Sequence, residues 1–474
     1  MLSKHRLAAL RRAPGRCKSL MSFLLVSMTR TWCCVPGMSL AQRCGLAGLV
    51  AERLTLIGHG GANPAAKVGC LVAGMVAGAD SIEDMDLLRH GGMARLFTDV
   101  RAPSTLGTFL RGFTFGHVRQ LDSVAARLLA SLAAHTPMLP GADQIAWIDA
   151  DDTMRGTYGY AKQGVGYGYT GVKGLNALIA TVSTPLSAPV ICATRLRKGS
   201  TNSARGAHRL VADAIRAAKA AGASGLIVVR ADSAFYGYPV VAAARRAGAA
   251  FSITARMTPT VAAAIAAIGD GADGGWTPIR YPQAVWDDAE QRWISDAEVA
   301  ETSLTAFTGR RAGEQVTARL IVRRVKRLNS PSEADGQGEL FTTWRYHAVF
   351  TDSPLPMLQA EAAHRGHAIV EQVIADLKNS ALAHLPSGKF TANAAWLVLA
   401  AIAFNLTRAA GCLASTFHAS ATTATIRAHL INVPARLARS ARRLILHLPR
   451  DWPWEHDWTE LFTRTSAPPA QAAA

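Results

Sequence analysis

The chain has 474 residues, of which 49% are hydrophobic, so two or three domains with sizeable cores are expected and a disordered chain is excluded. Its formal net charge of +18 indicates a polyanionic partner, because a basic surface attracts phosphate and releases counterions on binding. A nucleic acid fits this charge, whereas an enzyme acting on small phosphorylated metabolites does not require it. Ribosomal or membrane-surface binding would give a similar charge, but no run in the sequence reaches the roughly 20 apolar residues of a membrane span, and no membrane partner is expected.

The basic residues are segregated along the chain. No Asp or Glu precedes Glu52, and none lies between Asp376 and Asp451. A surface that only contacts water usually carries both positive and negative charges. The second acid-free stretch therefore predicts a surface that binds the backbone of DNA or RNA. Residues 1–38 form an irregular basic leader whose apolar core is short for an export signal. The seven cysteines form no Cys-x-x-Cys pair, which indicates reduced thiols in the cytoplasm.

Residues 39–140 predict a helical N-terminal region. One helix is expected to begin at a capping box on Ser81, and another at an N-cap on Ser104. The basic face and the Gly91-Gly92 turn favour a DNA-binding region of the helix-turn-helix kind. A plain helical cap on the next domain is the alternative.

Residues 141–257 change to alternating strands and helices. The expected order is three strands, a helix, a strand, a helix and a strand, over 144–149, 167–183, 188–197, 203–221, 225–233, 239–247 and 249–257. This order predicts an α/β fold with a ribonuclease-H-like mixed sheet and helices on both faces.

A β-rich insertion, residues 258–345, is expected to interrupt this core, because three segments there alternate apolar and polar residues. The catalytic core would resume over 346–410 and be followed by a basic C-terminal region, 411–474. In that last region arginines recur at helical spacing opposite apolar residues, which predicts an amphipathic helix that contacts phosphate. These arginines are Arg436, Arg439 and Arg443.

The stretch IAWIDADDT, residues 145–153, places three carboxylates just after an apolar run. As Asp-x-Asp-x-Thr it resembles the first motif of haloacid-dehalogenase-type phosphatases, with Asp149 as nucleophile and Asp151 as acid and base. As an apolar strand followed by Asp-x-Thr it resembles the first acid of a polynucleotidyl transferase. The phosphatase interpretation also requires two acids at the end of a later strand, and at that position the sequence has only Asp232. Asp149 and Asp151 share one face of a strand, and the register with Thr153 favours Asp151.

A third acid lies in a predicted helix over 361–380. Its face carries polar groups at spacings of three, four and seven residues, namely His364, His367, Glu371 and Lys378. A glutamate flanked by groups that hold phosphate suits a metal-dependent strand-transfer site. The alternatives are a solvated ion pair of Glu371 with Arg365 or Lys378, and zinc binding by the two histidines.

Together these motifs resemble the DDE transposases of bacterial insertion sequences, in the group with a Tyr-x2-Arg-x3-Glu-x6-Lys signature. Glu371 and Lys378 match the Glu-x6-Lys half, while His364 and His367 stand at the Tyr and Arg positions. The other two acids match by context, and the stretches KQGVGYGYTGVKGLNALIAT and LRKGSTNSARGA are similar to this family as well. The resemblance covers roughly residues 39 to 465.

The resemblance implies a transposase that binds the ends of an insertion sequence and catalyses metal-dependent DNA cleavage and strand transfer, as in cut-and-paste transposition. Asp151, Asp232 and Glu371 would be the catalytic residues and would hold two Mg²⁺ ions, with Mn²⁺ as a substitute. Two alternatives stay open: a ribonuclease-H-like nuclease without joining activity, and an inactive DNA-binding remnant.

The resemblance also implies the partners. These are double-stranded DNA, both the terminal inverted repeats of the element and the target, and a second copy of the chain in a homodimeric DNA complex. The expected location is the bacterial cytoplasm, with the nucleoid. The residues expected to contact DNA are Lys378, Arg365, His367, Arg436, Arg439 and Arg443.

Overall fold

A computed structural model describes most of the chain. The described residues are 35–56, 60–97, 99–158, 162–269, 275–279, 285–287, 292–294, 297–326, 344–440 and 443–466. Most of the predicted leader, and residues 327–343 of the predicted insertion, therefore lie outside the described residues.

The N-terminal region is helical, as predicted. Its helices are α1 (Val35–Arg43), α2 (Leu46–Arg53), α3 (Pro64–Ala77), α4 (Met93–Leu96), α5 (Pro103–Arg111) and α6 (Phe115–His135). Ser81 and Asp84 form the predicted capping interaction, but they start only a 3₁₀ turn over Glu83–Arg89, because the Gly91-Gly92 turn ends it. The N-cap prediction at Ser104 was wrong. Ala102 caps α5, and Thr114 begins α6 with a capping box to His117.

Strands and helices then alternate in the predicted order. They are β1 (Ile145–Gly156), β2 (Gly166–Tyr167), β3 (Lys173–Ser183), β4 (Val190–Lys198), α7 (Ala207–Ala220), β5 (Leu226–Ala231), α8 (Tyr238–Arg246) and β6 (Ala250–Thr254). The sheet order is β4-β3-β1-β5-β6, with β2 beside the first residues of β3. Strands β3 and β4 are antiparallel to their neighbours, whereas β1, β5 and β6 are parallel. This arrangement confirms the predicted mixed α/β, ribonuclease-H-like fold class.

The predicted insertion is rich in strands, and among the described residues its longer strands extend the same sheet. The elements are α9 (Pro259–Ala266), β7 (Thr277–Ile279), β8 (Val285–Asp287), β9 (Arg292–Ile294), β10 (Ala297–Ala306), β11 (Val316–Lys326) and β12 (Trp344–Thr351). Strand β12 pairs with β6 and is followed outward by β11, β10 and β7. The segment therefore continues the central sheet through β12.

The remaining elements pack on this sheet or follow it. They are α10 (Met357–Arg365), α11 (Ile369–Lys378), α12 (Phe390–Ala414), α13 (Thr416–Ser420), α14 (Thr423–Ile426), β13 (Arg436–Ser440), β14 (Arg443–His447) and α15 (Glu455–Ser466). Helix α12 is long and apolar enough to cross a membrane by length and composition, which the sequence analysis did not recognise. In the structure 94% of its most apolar window is buried inside the protein.

Helix α12 joins the N-terminal helices to the sheet. It packs against both α6 and β4. The Asn405 side chain accepts from the Ile191 amide and donates to the Ile191 carbonyl, at 2.8 and 2.7 Å. Ion pairs of Arg195 with Asp122 and Asp213 link β4 to α6 and α7. The N-terminal helices and the sheet therefore share one hydrophobic core.

The amphipathic helix predicted around Arg436, Arg439 and Arg443 was wrong. The segment forms an antiparallel hairpin in which Arg436 pairs with His447 and Ser440 with Arg443. Consecutive residues of a strand alternate between faces, so positions 436 and 439 fall on opposite faces of the hairpin. The helical spacing of the arginines thus does not bring them to one surface.

Candidate active site

The centre of the site is the point where two parallel strands separate. The pairing of β1 with β5 ends at Ala150 and Ala231. The next residues along the two strands are Asp151 and Asp232. Neighbouring strands lie about 4.8 Å apart, so the backbones of the two acids are adjacent where the strands begin to separate, a point that we call the fork. Strand β1 continues to Gly156 and pairs there only with β3. Asp151 therefore lies within the strand, whereas the sequence had predicted that the strand ends at residue 149.

Asp149 is occupied by a buried ion pair. Its carboxylate is fully buried and accepts from Nε and Nη2 of Arg230, each at 2.7 Å. His367 Nδ1 lies 3.0 Å from the same carboxylate, and the Arg230 guanidinium also lies 4.9 Å from the Trp147 ring centroid. A buried carboxylate held by two basic groups is a structural anchor, which favours Asp151 over Asp149 as a ligand.

Asp151 and Asp232 interact electrostatically. Burial raises the pKa of Asp151 to about 6; the Asp152 amide and His367 lower it, and the charges of Asp232 and Asp152 raise it. Burial likewise raises the pKa of Asp232. Asp151 Oδ1 accepts from the Asp152 amide at 2.7 Å, and among the described residues its Oδ2 has no hydrogen-bond partner. Two neighbouring carboxylates of raised proton affinity indicate a site that a cation would stabilise.

Asp152 belongs to a different network on the opposite face of β1. It pairs with Arg197 at 2.5 Å and accepts from Asn176 at 2.6 Å and Ser203 at 3.1 Å. All four side chains are buried. This network fixes β1 to β3 and β4, so the third carboxylate of the IAWIDADDT stretch is structural.

Asp232 has two roles in the structure. It caps the 3₁₀ turn Ser233–Phe235 by accepting from the Ala234 amide at 3.0 Å. It also lies close enough to Asp151 for the two charges to affect each other. Capping therefore positions the carboxylate beside Asp151.

The predicted helix over 361–380 is broken in the middle. Helix α10 ends at Arg365, a 3₁₀ turn covers Gly366–Ala368, and α11 begins at Ile369. Arg230 lies at this turn, where it donates to the Ala363 carbonyl, and a side chain at Gly366 would meet its guanidinium at 2.9 Å. The predicted single helical face is therefore divided into two parts.

His364 is a buried structural residue. Its two ring nitrogens lie 3.0 Å from Ser252 Oγ and 2.9 Å from Thr254 Oγ1, both on β6. Burial, with the nearby charges of His367 and Arg230, lowers its pKa to about 3, so it is neutral at physiological pH. With both nitrogens used by hydroxyls, the zinc interpretation is not supported, and no metal-binding group of three acids, histidines or cysteines occurs among the described residues.

The structure brings only some of the predicted site residues together. His367 and Lys378 lie close enough to Asp151 for their charges to interact with its carboxylate. Glu371 lies exposed in the first turn of α11, has no ion-pair partner among the described residues, and is not among the charges that affect Asp151 or Asp232. Arg365 is the last residue of the preceding helix α10 and pairs with the buried Glu361 at 2.9 Å.

The pair Asp151 and Asp232 fits a divalent cation. Mg²⁺ prefers a few carboxylate oxygens completed by water and substrate phosphate. Both acids bind protons more tightly than usual, which indicates that a positive charge between them would be favourable. Glu371, the third predicted catalytic acid, is on helix α11, which covers the site. It does not lie in the cluster that Asp151 and Asp232 form.

Three buried residues of the site escaped the sequence analysis, namely Arg230, Asn176 and Glu361. The available signal for Arg230 was a charged residue inside the apolar run GLIVVRA. A basic residue at such a position requires a buried acid, and Asp149 lies directly opposite it in the register of β1 and β5.

Comparison with known proteins gives a consistent family. A family model described as "Transposase DDE domain group 1" matches residues 68–468. No curated protein matches the chain significantly. Among solved structures, a piggyBac transposase in a synaptic complex with hairpin DNA is similar at 11% identity and a TM-score of 0.39, covering 84% of this chain and 79% of that one.

The buried pair predicts a specific stability effect. Arg230→Met should lower the free energy of unfolding by about 3–5 kcal/mol, because Asp149 would remain buried without its main partner. Asp149→Leu combined with Arg230→Met should recover much of that loss. Arg216→Met is the matched control, since this exposed arginine also pairs with an aspartate and should cost about 1 kcal/mol or less. Urea unfolding measures all three, and a double variant as unstable as Arg230→Met would contradict the assignment.

Proposed function

The chain belongs to the DDE transposases, in the group 1 family, and from this we propose that it binds the ends of an insertion sequence and catalyses metal-dependent cleavage and strand transfer of DNA. The observation that supports the proposal most directly is the pair of carboxylates at the fork of β1 and β5. Metal-dependent transfer of a phosphodiester requires carboxylates that hold divalent ions, and the position of these two acids just after the last paired residues of neighbouring strands supports this role.

Asp151 and Asp232 would hold the divalent ions, two Mg²⁺ or Mn²⁺, and the third ligand that we propose is Glu371, although it lies outside their cluster in the structure. When bound, such ions supply positive charge that stabilises the charge developing on the phosphodiester and favours deprotonation of the attacking hydroxyl. Glu371 is proposed because the other acids of the α10–α11 segment are engaged: Glu361 pairs with Arg323 and Arg365, and Asp376 accepts from Thr423.

Other residues of the chain orient the acids and the DNA. The Asp149–Arg230 pair holds β1 and β5 in register just before the fork. His367 connects the helical segment to Asp149 and also lowers the proton affinity of Asp151. Lys378, half-buried and near Asp151, would contact a phosphate next to the reacting bond.

The DNA partner follows from the charge as well as the family. A net charge of +18 needs a polyanion to balance it, and the stretch between Asp376 and Asp451 has no acidic residue. We propose that the hairpin of β13 and β14, with Arg436, Arg439 and Arg443, contributes phosphate contacts. Two copies acting on the two ends of one element, in the bacterial cytoplasm, complete the proposal.

The first test uses purified protein, DNA that carries the element ends, and Mg²⁺. The wild type should cut at the ends and join them to target DNA. Asp151→Asn, Asp232→Asn and Glu371→Gln should each lower the cleavage rate by at least about a hundredfold, since even indirect partners of metal ligands cost about 10–100-fold. End binding should stay within a few-fold of the wild type, because affinity depends mainly on basic groups.

Glu314→Gln is the matched control for removing a carboxylate, since Glu314 is only partly buried in the insertion and pairs only with Arg310 among the described residues. It should cleave normally. Undiminished cleavage by Glu371→Gln would remove Glu371 from the site. Wild-type cleavage without joined product would favour the nuclease alternative.

The second test concerns the C-terminal hairpin. Changing Arg436, Arg439 and Arg443 together to Gln should reduce the slope of log K against log salt by roughly 0.9 for each lost phosphate contact. The loss should be equal for specific and random duplexes, because phosphate contacts carry no sequence information. An unchanged slope, measured by fluorescence anisotropy, would contradict a phosphate-binding role.

A further inference from the structure

A basic groove lies between helices α7 and α8. It has a volume of about 420 Å³ and is open to solvent. Its apolar lining consists of alanine and isoleucine side chains, and no acid is found among the described residues that line it. Its basic lining residues, of which all but the histidine are exposed, are His208, Arg209, Arg216, Lys219 and Arg246. The groove therefore presents positive charge from both helices.

Little negative charge is available to neutralise the groove from within the two helices. Asp213 is the only Asp or Glu in α7 and α8, and it pairs with Arg195 of the sheet at 2.6 Å. Arg216 also reaches Asp213, at 2.9 Å, but 75% of its side chain remains exposed. The side chains of Arg209 and Arg246 have no hydrogen bond or ion pair among the described residues. A surface that only contacts water usually carries both signs of charge, so this surface indicates an anionic partner.

Two nearby basic residues differ, because the fold itself uses them. Lys219 donates to the Ala247 carbonyl at 2.7 Å and so connects α7 to the end of α8. Arg245 pairs with Asp352 at 2.8 Å. Its neighbour Arg246 makes no such contact, and packing of the two helices does not require its charge. The unpaired arginines of the groove are therefore available to a ligand.

The groove lies across the sheet from the catalytic acid Asp151. Asp152, on the opposite face of β1, pairs with Leu178 of β3, and Leu178 pairs with Arg195 of β4. Directly paired residues of antiparallel strands share a face, so Arg195 lies on the Asp152 face of the sheet. The ion pair of Arg195 with Asp213 holds α7 on that face, and α8 packs beside α7. A ligand in the groove is therefore separated from the catalytic acids by the sheet.

The chemistry of the groove fits the backbone of duplex DNA. Guanidinium groups bind phosphate through paired hydrogen bonds, and three of the basic lining residues are arginines. Helix α7 has 14 residues and is therefore about 21 Å long, which is the length of about six base pairs. The described residues that line the groove include no Phe, Tyr or Trp on which unpaired bases would stack. They also include no exposed large apolar side chain of the kind that enters a membrane surface.

We propose that the groove between α7 and α8 binds the phosphate backbone of a duplex DNA segment separate from the segment that reacts at Asp151 and Asp232. The inference rests on the proposed function and adds a second DNA-binding surface to it. Duplex DNA is stiff, with a persistence length of about 150 base pairs, so the short segment at the acids does not bend around to the other face of the sheet. Binding in the groove is independent of sequence, because phosphate contacts do not distinguish bases.

The experiment measures binding of a random-sequence duplex to the full-length protein at several salt concentrations, by fluorescence anisotropy and without divalent metal. Arg209→Gln with Arg246→Gln should weaken binding and reduce the slope of log K against log salt by roughly 0.9 for each lost phosphate contact. Arg245→Gln with Arg310→Gln is the matched control. It removes the same charge from two exposed arginines that already have acidic partners, and it should keep the wild-type slope.

A second pair of variants tests whether the groove acts through its charge. Ala212 lines the groove from α7 and is only partly buried, so a longer side chain can be added there. Ala212→Glu should weaken duplex binding, because its carboxylate repels the phosphates, whereas the uncharged Ala212→Gln of nearly equal size should bind as the wild type. Equal losses in both variants would contradict an electrostatic site.

The outcomes separate this inference from the proposed function. An unchanged salt slope in Arg209→Gln with Arg246→Gln, or an equal reduction in the control, would overturn the groove as a DNA site, while cleavage that depends on Asp151 would still support the proposed function. At saturating DNA the groove variant should cleave element ends as fast as the wild type, and slower cleavage there would contradict a separate segment. Polyglutamate that displaces the duplex from the wild type but not from the groove variant would indicate an acidic protein partner and overturn the inference.

Discussion

The separation of β1 from β5 after Ala150 and Ala231 is the constraint on which the site depends. Parallel strands place consecutive residues side by side, so the first positions past the last pair bring Asp151 and Asp232 together without any long-range loop. Burial, together with the nearby charge of Asp232, disfavours the ionised form of Asp151 and raises its pKa to about 6. The protein therefore holds two like charges together, and a cation would convert this unfavourable arrangement into a binding site.

The buried pair of Asp149 and Arg230 makes this arrangement rigid. It lies one position before the fork on each strand, and Arg230 also reaches the Ala363 carbonyl and passes Gly366, at the turn between α10 and α11. His367 then bonds to Asp149, and α11 brings Lys378 to the site. One arginine thus couples the strand register to the helix that covers the site, which explains why a charged residue is buried inside an otherwise apolar strand. On the other face of β1, Asp152 and Arg197 fix β1 to its antiparallel neighbours.

Much of this could be predicted from the sequence, because strands and helices of the core carry clear apolar periodicity and glycine boundaries. The order of strands and helices along the chain, the strands of the insertion and the position of Asp232 at the end of β5 followed from such local patterns. Several failures depend on a pairing that the spacing of residues does not reveal. The 361–380 helix contains a 3₁₀ turn where Arg230, from another strand, donates to the Ala363 carbonyl, and the arginines at 436, 439 and 443 have a spacing that fits a helix although the chain there pairs as a local hairpin. Helix α12 is apolar enough for a membrane and was recognised as a core helix only by what packs around it. The third acid shows the same limit, because spacing places Glu371 on a helix but does not determine its distance from Asp151.

Thermal unfolding of the wild type and Asp151→Asn, with and without Mg²⁺ across pH, tests the central claim most directly. The pKa of Asp151 is about 6 in the folded protein, above its ordinary 3.8, so the ionised carboxylate destabilises the metal-free protein above pH 6 and this cost disappears as the pH falls toward 4. Without metal, Asp151→Asn should therefore melt at a higher temperature than the wild type at pH 7.5, and the difference should vanish near pH 4. Mg²⁺ at pH 7.5 should raise the melting temperature of the wild type and leave that of Asp151→Asn unchanged, because only the folded wild type would bind it. Equal effects of Mg²⁺ on both proteins, or a wild type that melts above Asp151→Asn at pH 7.5 without metal, would contradict the account.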